Sequence, residues 1–85
     1  MARVKIYSTG TCPFCDKAKA LLKKWQIPFD EVRIDQDDAG LSEMQVVTNH
    51  ARTVPQIVID GKPIGGLDDL TELHMDGELD GMMES

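Results

Sequence analysis

The sequence predicts an α/β fold with the order β-α-β-α-β-β-α, a four-stranded mixed sheet flanked by helices. Three observations carry that prediction. An apolar run with period two, Val4 to Tyr7, passes through a short turn into a pattern of helical spacing. A further strand-like run follows that helix, completing a βαβ unit, whose two strands must run parallel. Near the other end, Asp60-Gly61 separates two short apolar stretches and reads as a two-residue hairpin.

Each element has its own grounds. Arg3 to Tyr7 alternates as a strand, and Ser8 to Thr11 turns around Gly10. Phe14, Ala18, Leu21, Leu22 and Trp25 recur at helical spacing, which places a helix from about Pro13 to about Trp25. Proline suits a first helical position, where its missing N–H had no intrahelical partner. Ile27-Pro28 breaks the pattern, and Phe29 to Ile34 reads as the second strand. Asp35 to Asp38 supplies a cap and an acidic first turn for a second helix, with Leu41, Met44, Val47 and Thr48 facing inward. Asn49-His50-Ala51 ends it. Pro55 to Ile59 is the third strand and Lys62 to Ile64 the fourth, an edge strand because Pro63 donates no ladder bond. Gly65-Gly66 makes a tight turn, Asp68 or Asp69 caps a last helix with Leu70 and Leu73 inward, and Gly77 stops it. Leu79, Met82 and Met83 are expected to pack as one more turn or to fray.

Eighty-five residues suffice for a single domain, 1–85, and an apolar fraction of 41% suits a folded chain rather than a disordered one. No apolar run is long enough to span a bilayer and no leader pattern precedes the first strand, so the expected setting is cytoplasmic, with no membrane partner. A net charge of -6 argues against nucleic acid as a partner. The charge is unevenly spread. Residues 1–30 carry six basic side chains against two acidic ones, and the rest carries three against thirteen. Lys17, Lys23 and Lys24 read as the solvated face of the first helix. No oligomer interface is apparent, and a monomer is expected.

The only two cysteines are Cys12 and Cys15, in Thr11-Cys12-Pro13-Phe14-Cys15. In a reducing compartment such a pair is catalytic, redox-sensing or metal-binding rather than structural. C-x-x-C where a strand hands over to a helix in a βαβ pattern reads as a redox dithiol. The unpaired N–H groups and the macrodipole at a helix N-terminus favour a thiolate there. A stabilised thiolate forms readily and also leaves a mixed disulfide readily. Cys12 is therefore the expected attacking sulfur. Lys19, two turns along the same face, would add weak support to it, and Asp16 would oppose it. Cys15, one turn later and more enclosed, should hold its proton more tightly and act as the resolving thiol.

Two further elements fit a dithiol site. In Thr53-Val54-Pro55, a cis bond before Pro55 would turn the backbone of Val54 outward to pair with an extended substrate. In Gly65-Gly66-Leu67-Asp68-Asp69, glycines ahead of a helix N-terminus let a ligand carboxylate reach free N–H groups, and an aspartate there can hold a ligand ammonium.

Together, Cys12-Pro13-Phe14-Cys15, Thr53-Val54-Pro55-Gln56 and Gly65-Gly66-Leu67-Asp68-Asp69-Leu70 resemble the dithiol glutaredoxins over roughly residues 3 to 75. The resemblance implies a thioredoxin-like, glutaredoxin-type fold. It also implies an oxidoreductase that reduces protein disulfides and glutathione mixed disulfides, with no bound cofactor and glutathione as co-substrate. On this reading Cys12 forms the mixed disulfide, while Phe14, Thr53, Val54, Pro55, Gly66, Leu67 and Asp68 bind glutathione or substrate. The partners implied are glutathione and disulfide-containing or glutathionylated proteins. Three positions depart from the family. Phe14 stands where tyrosine is usual, Thr9 where many members carry a lysine, and Ser42 where a longer polar or basic side chain commonly assists at the glycyl carboxylate. Weaker glutathione binding is the expected consequence.

Other readings remain beside this one. A glutaredoxin-like electron donor reduced by thioredoxin reductase, serving ribonucleotide reductase or another target, would keep the fold and change the electron supply. An iron–sulfur carrier would need small residues after the first cysteine, and Pro13-Phe14 would crowd a cluster. Zinc needs about four ligands, and His50 and His74, the only histidines to join the thiols, fall in a loop and on the last helix.

Overall fold

The structure is a computed structural model and describes residues 3–79 and 81. The elements are β1 (Val4–Ser8), α1 (Pro13–Lys24), β2 (Asp30–Arg33), α2 (Asp38–Val47), β3 (Gln56–Ile59), β4 (Lys62–Gly65) and α3 (Leu67–Met75). The sheet order is β2-β1-β3-β4. β1 runs parallel to β2, with Ile6 opposite Glu31 and Ser8 opposite Arg33. It runs antiparallel to β3, with Ile6 opposite Ile57, and β4 returns antiparallel on the far edge. The mixed four-stranded sheet with three helices is the order that the sequence pattern predicts.

Alternation along the strands sorts the interior into two layers. Val4, Ile6, Ile57 and Ile59 project to one face and bury against Ala18 and Leu22 of α1, Leu70 of α3, and Leu79. Tyr7 and Val58 project to the other face, against Met44 of α2, with Val32, Ile34, Leu41, Val47 and Val54 around them. So α1 and α3 share one side of the sheet and α2 covers the other. Fully burying one Leu or Ile side chain is worth about 1.5–3 kcal/mol, and the first layer holds most of these. Leu79 is fully buried in that layer, so the chain packs beyond α3. Met82 and Met83 lie outside the described residues.

Capping departs from expectation at α3. Gly66, not Asp68 or Asp69, takes the N-cap position. Asp69 reaches back instead, its Oδ2 accepting from the Gly66 N–H at 3.0 Å, the half of a capping box that a glycine cap can still use. At α2, the Asp37 carboxylate accepts from the Gly40 N–H at 3.1 Å. The hairpin turn places both Asp60 (φ 52°) and Gly61 (φ 80°) in the left-handed region, as a tight two-residue turn requires. Gly65, at φ 120°, could not be another residue without strain, and a side chain there would run into the Asp69 carboxylate.

Candidate active site

Cys12 is the N-cap of α1. Its backbone is extended, its carbonyl receives the Asp16 N–H at 3.2 Å, and its Sγ accepts from the Cys15 N–H at 3.3 Å. That sulfur fills the place that a serine or aspartate oxygen usually takes at a helix start, so a backbone donor faces it. Pro13 occupies the first helical position and asks for no hydrogen bond there. The Cys12 thiol in turn donates to the Val54 carbonyl at 3.7 Å.

Cys15 has a different environment. It is fully buried, on the same stripe of α1 as Ala18 and Leu22. Burial, then the hydrogen bond with Cys12, pushes its thiol up to about 11, against a smaller opposing effect of the Thr9 backbone. Both cysteines are free thiols. The pair thus consists of a half-exposed sulfur at a helix terminus and a protonated one beneath it.

The Val54–Pro55 bond is cis. Gln56 braces the approach to it: its Nε2 donates to the Thr53 carbonyl at 2.9 Å and to the Thr53 hydroxyl at 3.1 Å. The strand proper starts at Gln56 rather than at Pro55, because proline has no N–H for the ladder. Beside the dithiol, Phe14, Thr53, Val54, Pro55, Gly66, Leu67 and Asp68 line one open groove of about 330 Å³ together with Gln56, Gly65 and Asp69. Phe14 is 61% exposed, so it is a wall of the groove and not a core residue. Cys12 meets the groove through Val54.

Gln56, Gly65 and Asp69 belong to the motifs singled out in the sequence but are not among the residues assigned there to glutathione or substrate binding. A polar side chain opening an otherwise apolar strand was a usable signal for Gln56, since a buried amide needs partners. Asp69 looked interchangeable with Asp68, and only the turn geometry separates them. With Asp69 engaged at Gly66, Asp68 is the other carboxylate lining the groove. The first N–H groups of α3 have no intrahelical acceptor and point toward its N-terminal end.

Thr9 and Ser42 do not line this groove, and neither does any lysine or arginine among the described residues. Ser42 is exposed on α2, across the sheet from α1. Lys19 is engaged in ion pairs: its Nζ donates to Glu31 at 2.8 Å and lies 3.6 Å from Asp16. His50 is exposed beyond α2, while His74 stacks on Trp25 with ring centroids 3.8 Å apart. Among the described residues, no group of three or more His, Cys, Asp or Glu is placed to hold a metal ion. No described helix is long and apolar enough to cross a membrane.

A family model described as glutaredoxin matches residues 4–64. Glutaredoxin 3 of Escherichia coli is 45% identical over 84 residues, covering 99% of this chain and 100% of that one. This chain belongs to the glutaredoxin family. A probable glutaredoxin of Synechocystis is 43% identical over 84 residues, 99% of this chain and 96% of its own. Among solved structures, a buckwheat glutaredoxin–glutathione complex superposes with a TM-score of 0.82 at 32% identity, over 95% of this chain and 76% of that chain. A glutaredoxin from Brucella melitensis gives a TM-score of 0.79 at 38% identity, over 96% and 88%. The glutaredoxin fold, with both thiols present at the start of α1, makes the chain a thiol–disulfide oxidoreductase.

Proposed function

We propose that this glutaredoxin reduces protein disulfides and glutathione mixed disulfides with electrons from glutathione, Cys12 acting as nucleophile and Cys15 as resolving thiol. The observation that carries the reading is the position of Cys12 Sγ. It faces the Cys15 N–H at the helix start and the carbonyl of Val54, which lines the groove. The Cys15 N–H donates to that sulfur, and the groove offers a peptide the backbone of Val54 to pair with. Thr53 and Pro55 flank that backbone, and Phe14 and Leu67 supply apolar walls. Gly66 and the start of α3 meet a carboxylate, and Asp68 meets an ammonium. Likeness to the glutathione-bound buckwheat protein supports the choice of ligand.

Turnover of a small glutathione mixed disulfide by wild type, Cys12→Ser and Cys15→Ser tests the roles. Activity should vanish in Cys12→Ser and survive in Cys15→Ser; activity in Cys12→Ser would overturn the assignment. The absence, among the described residues, of a basic side chain from the lining of the groove favours a second reading, in which thioredoxin reductase supplies the electrons. NADPH oxidation with thioredoxin reductase, set against glutathione plus glutathione reductase, separates the two. The proposed setting is cytoplasmic and the proposed state a monomer, 1–85 acting as one domain.

A further inference from the structure

Resolving a mixed disulfide on Cys12 requires a thiolate at Cys15, yet that sulfur is fully buried. Its surroundings decide how the charge is tolerated. On α1, Lys19 lies one turn beyond Cys15, at the spacing that places two side chains on one helix face. Its Nζ donates to Glu31 Oε2 at 2.8 Å and sits 3.6 Å from Asp16 Oδ1. The same Glu31 oxygen accepts from the fully buried Ser8 hydroxyl at 2.7 Å. Strands β1 and β2 and helix α1 therefore hold one ammonium in place, on a side chain one helical turn beyond the buried thiol. Arg33, also on β2, acts on Glu31, and the Cys12 sulfur faces Cys15 from the helix start. Of the charged groups that act on the Cys15 sulfur, Cys12 opposes the thiolate and Lys19 favours it.

We infer that Lys19, fixed by Glu31 and Ser8, is a positioning residue for the resolving step, its ammonium stabilising the Cys15 thiolate as it forms. The inference rests on Cys15 being the resolving thiol. In that step the Cys15 thiol releases its proton to water and its sulfur attacks Cys12 Sγ. The bond from Cys12 to the substrate sulfur breaks, and the leaving thiolate takes up a proton. The dithiol is oxidised by two electrons to the Cys12–Cys15 disulfide, and the substrate disulfide is reduced. Lys19 stays protonated throughout and contributes charge alone.

A nearby opposite charge favours the ionised form of a titrating group. Losing one unit of stabilisation lowers the thiolate population about tenfold, while a Brønsted coefficient of about 0.45 returns about threefold in intrinsic nucleophilicity. The net expectation is about 3.5-fold slower resolution at neutral pH.

The test loads Cys12 of the full chain with a chromophoric aromatic thiol as a mixed disulfide and follows its first-order release between pH 6 and 8.5. Wild type, Lys19→Gln, Lys19→Arg and Cys15→Ser are compared, each also with an excess of an external thiol. Lys19→Gln should slow internal release about three- to fourfold, more than it slows release by the external thiol, and Lys19→Arg should restore the wild-type rate. Unchanged internal release in Lys19→Gln would sink the inference, as would equal slowing of both reactions. Internal release persisting in Cys15→Ser would instead remove the assignment of the resolving thiol on which the inference stands.

Discussion

Raising the pH should destabilise the reduced protein through Cys15 before any other group with a raised pKa. Burial and the hydrogen bond with Cys12 place this thiol at about 11 in the folded chain, against 9.0 for an ordinary thiol. The folded state therefore binds the proton more tightly than the unfolded one. Its contribution is complete below the unfolded value and is lost as pH rises toward the folded value. The full shift corresponds to about 3 kcal/mol, of which about half is lost between pH 8 and pH 10. For a chain of this length that is a fall in Tm of about 5–10 °C. Tyr7 follows later. Burial and its hydroxyl bond to Glu43, 3.0 Å long, raise it from 10.0 to about 12, so it removes less than about 1 kcal/mol by pH 10. Thermal unfolding followed by circular dichroism, under a non-thiol reductant at pH 8, 9 and 10, measures the slope. Cys15→Ala and the oxidised protein should both lose most of it, whatever their absolute stability. An unchanged slope in Cys15→Ala would refute the assignment of the alkaline transition to this thiol.

Three further expectations follow from the groove and its rim. Asp69→Ala removes the acceptor for the Gly66 N–H; it should lower stability by about 0.5–1 kcal/mol and raise KM for a glutathione mixed disulfide, checked by chemical denaturation and steady-state kinetics. Phe14→Ala takes away an exposed groove wall, so KM should rise several-fold while Tm moves by no more than about 3 °C. Thr9→Lys restores a cation near the dithiol and should speed glutathione turnover, with a larger gain at low salt; a turnover number and KM identical to wild type would show that the missing charge does not limit binding.

Most of the fold was legible because its periodicities are strong and locally consistent. The change from period two at Val4–Tyr7 to helical spacing at Phe14–Trp25 located β1 and α1 to within a residue. Asp60-Gly61 located the hairpin, since few other pairs adopt two left-handed residues in succession. The cap of α3 was not legible. Gly66, Asp68 and Asp69 are all plausible caps in sequence, and the choice depends on where Gly65 turns the chain after β4. The groove residues on the three motifs were visible as types. That Gln56 braces Thr53 was not, because its partners are set by the path of the chain around Pro55. The ion-pair partner of Lys19 was not legible for a related reason. Sequence places Lys19 two turns along the face of Cys12, but its carboxylate partner Glu31 comes from β2, and only the parallel pairing of β1 and β2 brings that strand alongside.

The difference between the two thiols follows from the construction of α1. Cys12 sits at the N-cap, before the helix begins to bury a face, so its sulfur meets backbone groups: the Cys15 N–H and the Val54 carbonyl. Cys15 is the first member of the stripe that continues through Ala18 and Leu22 into the layer against the sheet. The apolar periodicity that builds the core therefore also encloses the second thiol. Enclosure keeps Cys15 protonated at neutral pH and confines its nearest reaction partner to the Cys12 sulfur beside it. In the proposed cycle an incoming disulfide is met by the half-exposed sulfur alone, and the buried one acts only after Cys12 has been loaded. The order of events in the proposed cycle thus comes from helix geometry, a separation of three residues spanning the boundary between a helix terminus and a hydrophobic core.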